Sequence, residues 1–374
     1  MQSASVETSD AIGASLRRRL FSALSWRLEN RLEGGSVADT HRARDLFGRV
    51  LYWSGAHRSL PALTDRAAIL CFHGLGAGRL DAEVDSSILH VRGFRQILRV
   101  LKRSFRVVPL AELVEYLQSG RPPPPKSVVI TFDDGYASNL EIAAPELAAM
   151  GMPWSAFLPA GFIESGGRRW TDDLPLLVHR SGRRELSFHL GAQRLSFDLS
   201  TTGARAAAVH LIPERCRYAP EDLLAPAVAE LRGCMSGDEL DSLRQKHPEF
   251  APMTWEQARQ LRSAGVEVGS HSLNHVALAV QTPERIRAEI RVAEELFKQH
   301  IGPPSPHFSY PYGNRMSFST ETAAALRAAG YRCALTLVHE VVPVPLDDLM
   351  CTPRLIVSAQ PGRTLTTLWQ RFNG

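Results

Sequence analysis

Four consecutive prolines at residues 122–125 run straight into Lys126-Ser-Val-Val-Ile130, a short apolar, β-branched stretch, and then into Thr131-Phe-Asp-Asp-Gly135. The stretch reads as a buried strand. Asp133 and Asp134 therefore stand at its carboxyl end, where α/β folds gather ligands and catalysts. Adjacent residues of an extended strand point to opposite sides, but Gly135 lets the backbone turn there, so both carboxylates can face one pocket. Two carboxylates so close rarely share a role: a cation neutralises one while the other stays free to accept a proton. The plain alternative is an Asp-Asp-Gly turn that caps the next helix, and this segment alone does not choose between the two.

A second segment tilts the choice. Val266-Glu-Val-Gly-Ser270 reads as another strand and leads into His271-Ser-Leu-Asn-His275. Imidazoles four residues apart on a helical turn share a face and can reach one ion. With Asp134 they form a set of two histidines and one carboxylate, the kind catalytic zinc uses while keeping a position open for water. Cobalt and nickel accept the same donors, so the metal is left open. A third segment, Phe308-Ser-Tyr-Pro-Tyr-Gly313, supplies a rigid aromatic loop.

These three blocks, in this order, resemble the hallmark motifs of the polysaccharide deacetylases, the NodB-homology carbohydrate esterases. The resemblance covers about residues 65–357. It implies that Asp133 is the general base, that Asp134, His271 and His275 hold one divalent ion, and that Pro311 and Tyr312 line the groove, with the Tyr312 N–H offered to the oxyanion. Trp170, in Trp170-Thr-Asp-Asp173, resembles an aromatic and acidic motif of relatives and is either a wall of the sugar site or core. Two departures stand out. Where many relatives carry a Leu-x-His motif for the general acid, this chain has His339 later than expected, and His73, ending the strand Ile69-Leu-Cys-Phe-His-Gly74, ranks above it. Each is otherwise a structural histidine. The arginine that orients the base in the Pro-Tyr loop of many relatives is missing, and Arg354, in Thr352-Pro-Arg-Leu-Ile-Val357, either replaces it by pairing with Asp133 or forms a surface salt bridge.

Around the motifs, strand-like and helix-like stretches alternate as a β/α barrel requires. Strands are expected at 66–72, 105–109, 127–132, 154–158, 267–270, 306–310 and 333–336. Helices are expected at 91–103, 110–119, 137–150, 254–264, 283–300 and 320–329. The resemblance makes this an α/β fold, a distorted incomplete (β/α)7 barrel at residues 63–374, after a helical N-terminal extension at 1–62. An insertion at about 165–252 breaks the alternation: 185–190 and 194–199 alternate apolar and polar residues around Gly191-Ala-Gln193, a hairpin signature, and helices follow at 202–211 and 220–232. An insertion beside the catalytic face is the natural determinant of substrate choice.

Composition frames the functional classes. A chain of 374 residues with 44% hydrophobic content can bury a large core. Its five scattered cysteines form neither a zinc-knuckle spacing nor a disulfide framework, and a net charge of +4 without basic and aromatic clustering argues against nucleic acid as partner. No membrane span and no secretory leader is read, so the expected location is cytoplasmic. At residues 11–32, Leu16, Leu20, Leu24 and Trp26 alternate with Arg17, Arg18, Arg19, Arg27 and Arg31, an amphipathic helix that packs on the barrel or lies on the inner membrane surface. The expected reaction is metal-dependent removal of an N-acetyl group from a sugar of a bacterial surface glycan. An O-acetyl esterase, an amino-sugar deformylase and a non-catalytic carbohydrate-binding module are the rivals.

Overall fold

The computed structural model describes residues 37–55, 60, 61 and 63–373. The amphipathic helix expected at 11–32, and the membrane contact assigned to it, lie outside the described residues.

Strands β1 (Arg66–Phe72), β2 (Arg106–Val107), β3 (Ser127–Phe132) and β4 (Ser155–Leu158) precede the insertion. The insertion carries the hairpin of β5 (Glu185–Leu190) and β6 (Gln193–Asp198). Strands β7 (Glu267–Ser270), β8 (His307–Ser309), β9 (Cys333–Leu335), β10 (Val342–Pro343) and β11 (Leu355–Ile356) follow. Seven parallel strands curl in the order β9-β8-β7-β4-β3-β1-β11, with β2 pairing the start of β3 and β10 running antiparallel along the start of β1. The gap between the sheet's two edges is spanned by one short segment. Thr352 bridges to Leu335 on one side, while Leu355 and Ile356 pair with Leu70 and Cys71 on the other. The result is the distorted, incomplete barrel, and Arg354 lies in its seam.

Strand alternation sorts the side chains. Ala68, Leu70 and Phe72 of β1 face outward into a core shared with the helices, where Phe72 stacks on Phe132 at 5.1 Å and Phe94 meets both edge-on. Ala67 and Ile69 face inward and pack with Val129, Phe157 and Leu335 from other strands. Near-continuous burial on both faces is what a parallel sheet covered by helices demands.

Helices α1 (Val37–Ser54), α2 (Val91–Ser104), α3 (Leu110–Ser119), α4 (Ala144–Ala149) and α5 (Ala160–Ser165) come before or between the early strands and the insertion. The expected helix at 137–150 is divided: a π-helical turn at Asn139–Ala143 precedes α4, whose first turn holds Pro145. The insertion adds α6 (Trp170–Arg180), α7 (Thr202–Cys216), α8 (Glu221–Arg232) and α9 (Gly237–Lys246), which close over a second core containing Leu176, Leu186, Phe188 and Ile212. Its main ionic tie is Asp173, fully buried, which accepts hydrogen bonds from Arg232 and Arg244. The barrel resumes with α10 (Trp255–Ser263), α11 (Pro283–His300) and α12 (Thr320–Ala328) and ends in α13 (Pro361–Asn373).

Helix α1, which lies within the helical extension expected at 1–62, and α13, which was not read from the sequence, pack together over the outer core. They approach so closely that a Cβ on Gly48 would stand 1.7 Å from the Gly362 carbonyl oxygen, and one on Gly362 would stand 2.1 Å from that of Asp45. Backbone cannot yield as a side chain does, so Gly48→Ala is expected to destabilise the protein by about 1–3 kcal/mol by forcing the helices apart. Urea unfolding of wild type and variant checks this; an unchanged midpoint would mean that α1 does not hold this position.

Candidate metal centre and catalytic cleft

The alternation that fills the barrel also aims its chemistry. Cys71, Thr131 and Asp133 share the inward side of β1 and β3, and His73 follows two residues after Cys71. Asp134 would point away on a regular strand. Its φ of 76° turns the chain instead, and Gly135 at φ 63° continues the turn. Neither aspartate caps the helical turn that follows. Among the described residues five that are not glycine have positive φ, and four of them, Asp134, Ser272, His275 and Tyr312, belong to this centre. Such conformations persist only where surrounding contacts enforce them.

For the histidine loop the enforcing group is Glu289, fully buried on α11. Its carboxylate accepts hydrogen bonds from the N–H groups of Leu273 and Asn274, from the Asn274 side chain and from Arg285. Thus the loop does not continue as the helical turn suggested by the i, i+4 spacing; it is an irregular loop that nevertheless brings both rings together. The His271 and His275 rings lie 4.9 Å apart, and their Nε2 atoms are 3.5 and 3.2 Å from Asp134 Oδ1. The Nδ1 of His271 faces the Ser309 carbonyl at 2.7 Å, which leaves Nε2 to face the aspartate.

The donor set fits a divalent ion. Asp134 Oδ1 is buried between two imidazole nitrogens, and one donor atom from each of the three residues lies within 4.8 Å of the others. Burial pushes His275 down to about 4, so its ring is neutral and able to ligate at ordinary pH. Burial alone would raise the Asp134 carboxyl, but Arg169 and the two histidines hold it well below the usual range. Arg169 Nη1 stands 2.5 Å from the same Oδ1, and its other nitrogens bind Asp172 and Tyr136, so any ion there shares Asp134 with a guanidinium from the insertion.

Asp133 is held separately. Arg354, fully buried, donates from Nη1 to Oδ1 at 2.9 Å and from Nη2 to Oδ2 at 2.6 Å, the bidentate geometry that suits guanidinium and carboxylate. Ser309 Oγ at 3.0 Å and the Cys71 thiol at 3.4 Å also donate to Oδ2. Burial works to raise this carboxyl, yet Arg354 outweighs it and keeps the group far below the ordinary carboxylate range.

A cavity of about 440 Å³ opens beside these groups, lined by His73, Asp134, Tyr136, Arg169, Ser86–Ile88, Ile356–Gln360 and Arg363. His73 Nε2 lies 3.8 Å from Asp134 Oδ2 at the cavity wall. His339 is exposed, and its Nδ1 accepts the Ile356 N–H, a structural role. Pro311 is buried, and the Tyr312 ring meets His275 edge-on at 4.8 Å. Among the described residues the Tyr312 N–H finds no protein acceptor. Trp170 is nearly buried and packs in the insertion's core, off the cavity lining. Sequence reasoning missed Arg169, Ser309, Cys71 and Glu289. Only Glu289 left a signal, as a charged residue inside the apolar stripe of Ile286, Ile290, Ala293 and Phe297.

Removing one partner of a buried ion pair strands the other charge. Arg354→Leu is therefore expected to cost about 3–5 kcal/mol of stability, with much of the loss recovered when Asp133→Asn is added. Chemical denaturation of the two single variants and the double variant checks it, and strictly additive losses would mean that the two groups are uncoupled.

Comparison with known proteins fits this geometry. The family model described as polysaccharide deacetylase matches residues 234–334, which include the histidine loop and the Pro-Tyr loop. YxkH of Bacillus subtilis (strain 168), a protein named for this family, is 27% identical over 84 residues, 22% of this chain and 29% of the relative's length. Among solved structures, Streptococcus pyogenes deacetylase PplD in complex with acetate superposes with a TM-score of 0.54 at 14% identity, covering 82% of this chain and 99% of that one. IcaB from Ammonifex degensii superposes with a TM-score of 0.51 at 19% identity, covering 82% and 97%. At such identities the superpositions speak for the fold. The match over residues 234–334 makes that part of the chain similar to the polysaccharide deacetylases, and the superpositions show that the barrel shares their fold.

Proposed function

We propose that this chain is a metal-dependent N-deacetylase acting on an acetylated sugar of a bacterial surface glycan. The observation that carries the reading is the division of labour between two adjacent aspartates: Asp134 faces two imidazole nitrogens, while Asp133 is held away by Arg354. Amide hydrolysis needs an activated water, a stabilised oxyanion and a proton for the leaving amine. A divalent ion such as zinc, cobalt or nickel, held by Asp134, His271 and His275, would supply Lewis acidity and a more acidic water. Asp133 is the base: its clamp keeps it ionised and fixes its orientation toward the cleft. Tyr312 would offer a free N–H to the developing oxyanion, and His73, partly exposed on the cavity wall, would protonate the amine. The cavity is of a size that takes a small saccharide unit.

An O-acetyl ester or an N-formyl group would use the same machinery, so the released products decide among them. Free amine together with acetate identifies N-deacetylation. A cytoplasmic enzyme acting at the inner membrane is part of the proposal; no described helix is long and apolar enough to cross a membrane.

Two variants test the mechanism. Relative to wild type, His271→Ala is expected to lose one divalent ion per chain by elemental mass spectrometry. Asp133→Asn should retain that ion while acetate release falls by about 10²-fold or more, as for loss of a general base. Equal metal content in wild type and His271→Ala would sink the metal centre. Undiminished turnover in Asp133→Asn would remove that residue as the base.

A further inference from the structure

A second cluster with ligand chemistry lies outside the catalytic centre. Asp85 comes from the loop after β1, whereas His247 and Glu249 end the insertion, yet one donor atom from each lies within 4.8 Å of the other two. Asp85 is 4% exposed. Its Oδ2 accepts the Asp81 N–H at 2.6 Å and its Oδ1 faces His247 Nδ1 at 3.1 Å. Glu249 brings an independent sign: its Oε2 is shut off from solvent and has no hydrogen-bond partner. Buried carboxylate oxygens are ordinarily paired. Among the described residues no arginine or lysine pairs with either carboxylate, and the one basic group in reach of Asp85 is His247.

Asp85 is buried and His247 and Glu249 are half-buried, and two carboxylates sharing one imidazole there carry an excess of negative charge that the buried oxygens make costly. A divalent cation neutralises both and gives the orphaned Glu249 oxygen a partner. One nitrogen and two carboxylate oxygens suit zinc or manganese and lack the thiolates of a zinc knuckle. We infer that Asp85, His247 and Glu249 form a second divalent-cation site, structural in role, that fastens the end of the insertion to the loop after β1.

The place of the cluster gives it a consequence for the cleft. The loop that carries Asp85 continues through Ser86, Ser87 and Ile88, which line the catalytic cavity. Glu249 packs on the glycines that follow His73: a Cβ on Gly76 would stand 3.2 Å from its Cγ, and one on Gly74 would stand 3.5 Å from its carbonyl oxygen. A cation here would brace one wall of the cleft, and the segment leading from His73, against the insertion. The competing state is an ion pair between Asp85 and a protonated His247, which needs no metal, so counting ions separates the two.

The full chain, stripped with chelator and reloaded with zinc chloride alone, is passed through a desalting column and measured by elemental mass spectrometry. Wild type is expected to keep two zinc ions, His271→Ala with His275→Ala one, Asp85→Asn with His247→Ala one, and the fourfold variant none. Hydrogen exchange gives a second readout. Zinc added to the His271→Ala, His275→Ala protein should slow exchange across residues 77–90, and Glu249→Gln in that background should weaken zinc binding at least tenfold without unfolding the chain. The catalytic reading and this one fail separately, because each is scored with the other site's ligands intact or removed. No zinc in the His271→Ala, His275→Ala protein would overturn the second site, as would a zinc ion there that survives Asp85→Asn with His247→Ala or is indifferent to Glu249→Gln.

Discussion

The pairing of Arg354 with Asp133 does two jobs at once. Arg354 lies in the segment that closes the barrel, where Thr352 meets β9 and Leu355 meets β1, and its guanidinium reaches inward to the end of β3. It also donates to the Thr336 carbonyl, to Thr131 and to Ser309, so one cation draws the ends of β3, β8 and β9 toward the barrel axis. A buried charge is tolerated only when its partners are complete. Closure of the barrel and ionisation of Asp133 are therefore one condition: a seam that opened would strand Asp133, and a neutral Asp133 would strand Arg354.

The second constraint is backbone strain, and it too is met from outside the loops that bear it. Asp134, Ser272, His275 and Tyr312 adopt the left-handed region, which residues other than glycine enter at a cost. The Glu289 carboxylate pins Leu273 and Asn274, and Gly313, whose carbonyl accepts the Leu337 N–H, allows the Pro-Tyr loop to press against the next strand. The donors that face Asp134 thus sit on irregular backbone, each fixed by a partner distant in sequence. This is how a site gains preorganisation that regular strands and helices cannot supply.

That division explains what the sequence disclosed. Strands such as Arg66–Phe72 and Ser127–Phe132 were legible because burial on both faces leaves unbroken apolar runs, and α11 because its apolar period is long. Asp133, Asp134, His271 and His275 were legible because short spacing carries their chemistry. Arg169 was not, since nothing local separates an arginine bound to a carboxylate 35 residues away from one in water. Ser309 and Cys71 gain meaning only once β8 and β1 lie beside β3. The helical turn inferred from the histidine spacing was a sound route to proximity, but the chain reached it by a different backbone. The Trp170 indole, which the sequence left as sugar wall or core, lies in the hydrophobic cluster that the insertion shares with Ile88 and Tyr136.

The insertion's attachment ties it directly to the centre. It leaves the barrel after α5, immediately sends Arg169 onto Asp134, and returns through Pro252, which bridges to Tyr136 just beyond the Asp-Asp-Gly turn. Between those points Asp173 draws α8 and α9 onto the first turn of α6 through Arg232 and Arg244. Because α6 begins at the residue after Arg169, any shift of the insertion's helices is delivered to the carboxylate that faces both histidines. One short connection therefore joins the ion pairs that hold the insertion's helices together to the guanidinium that faces Asp134.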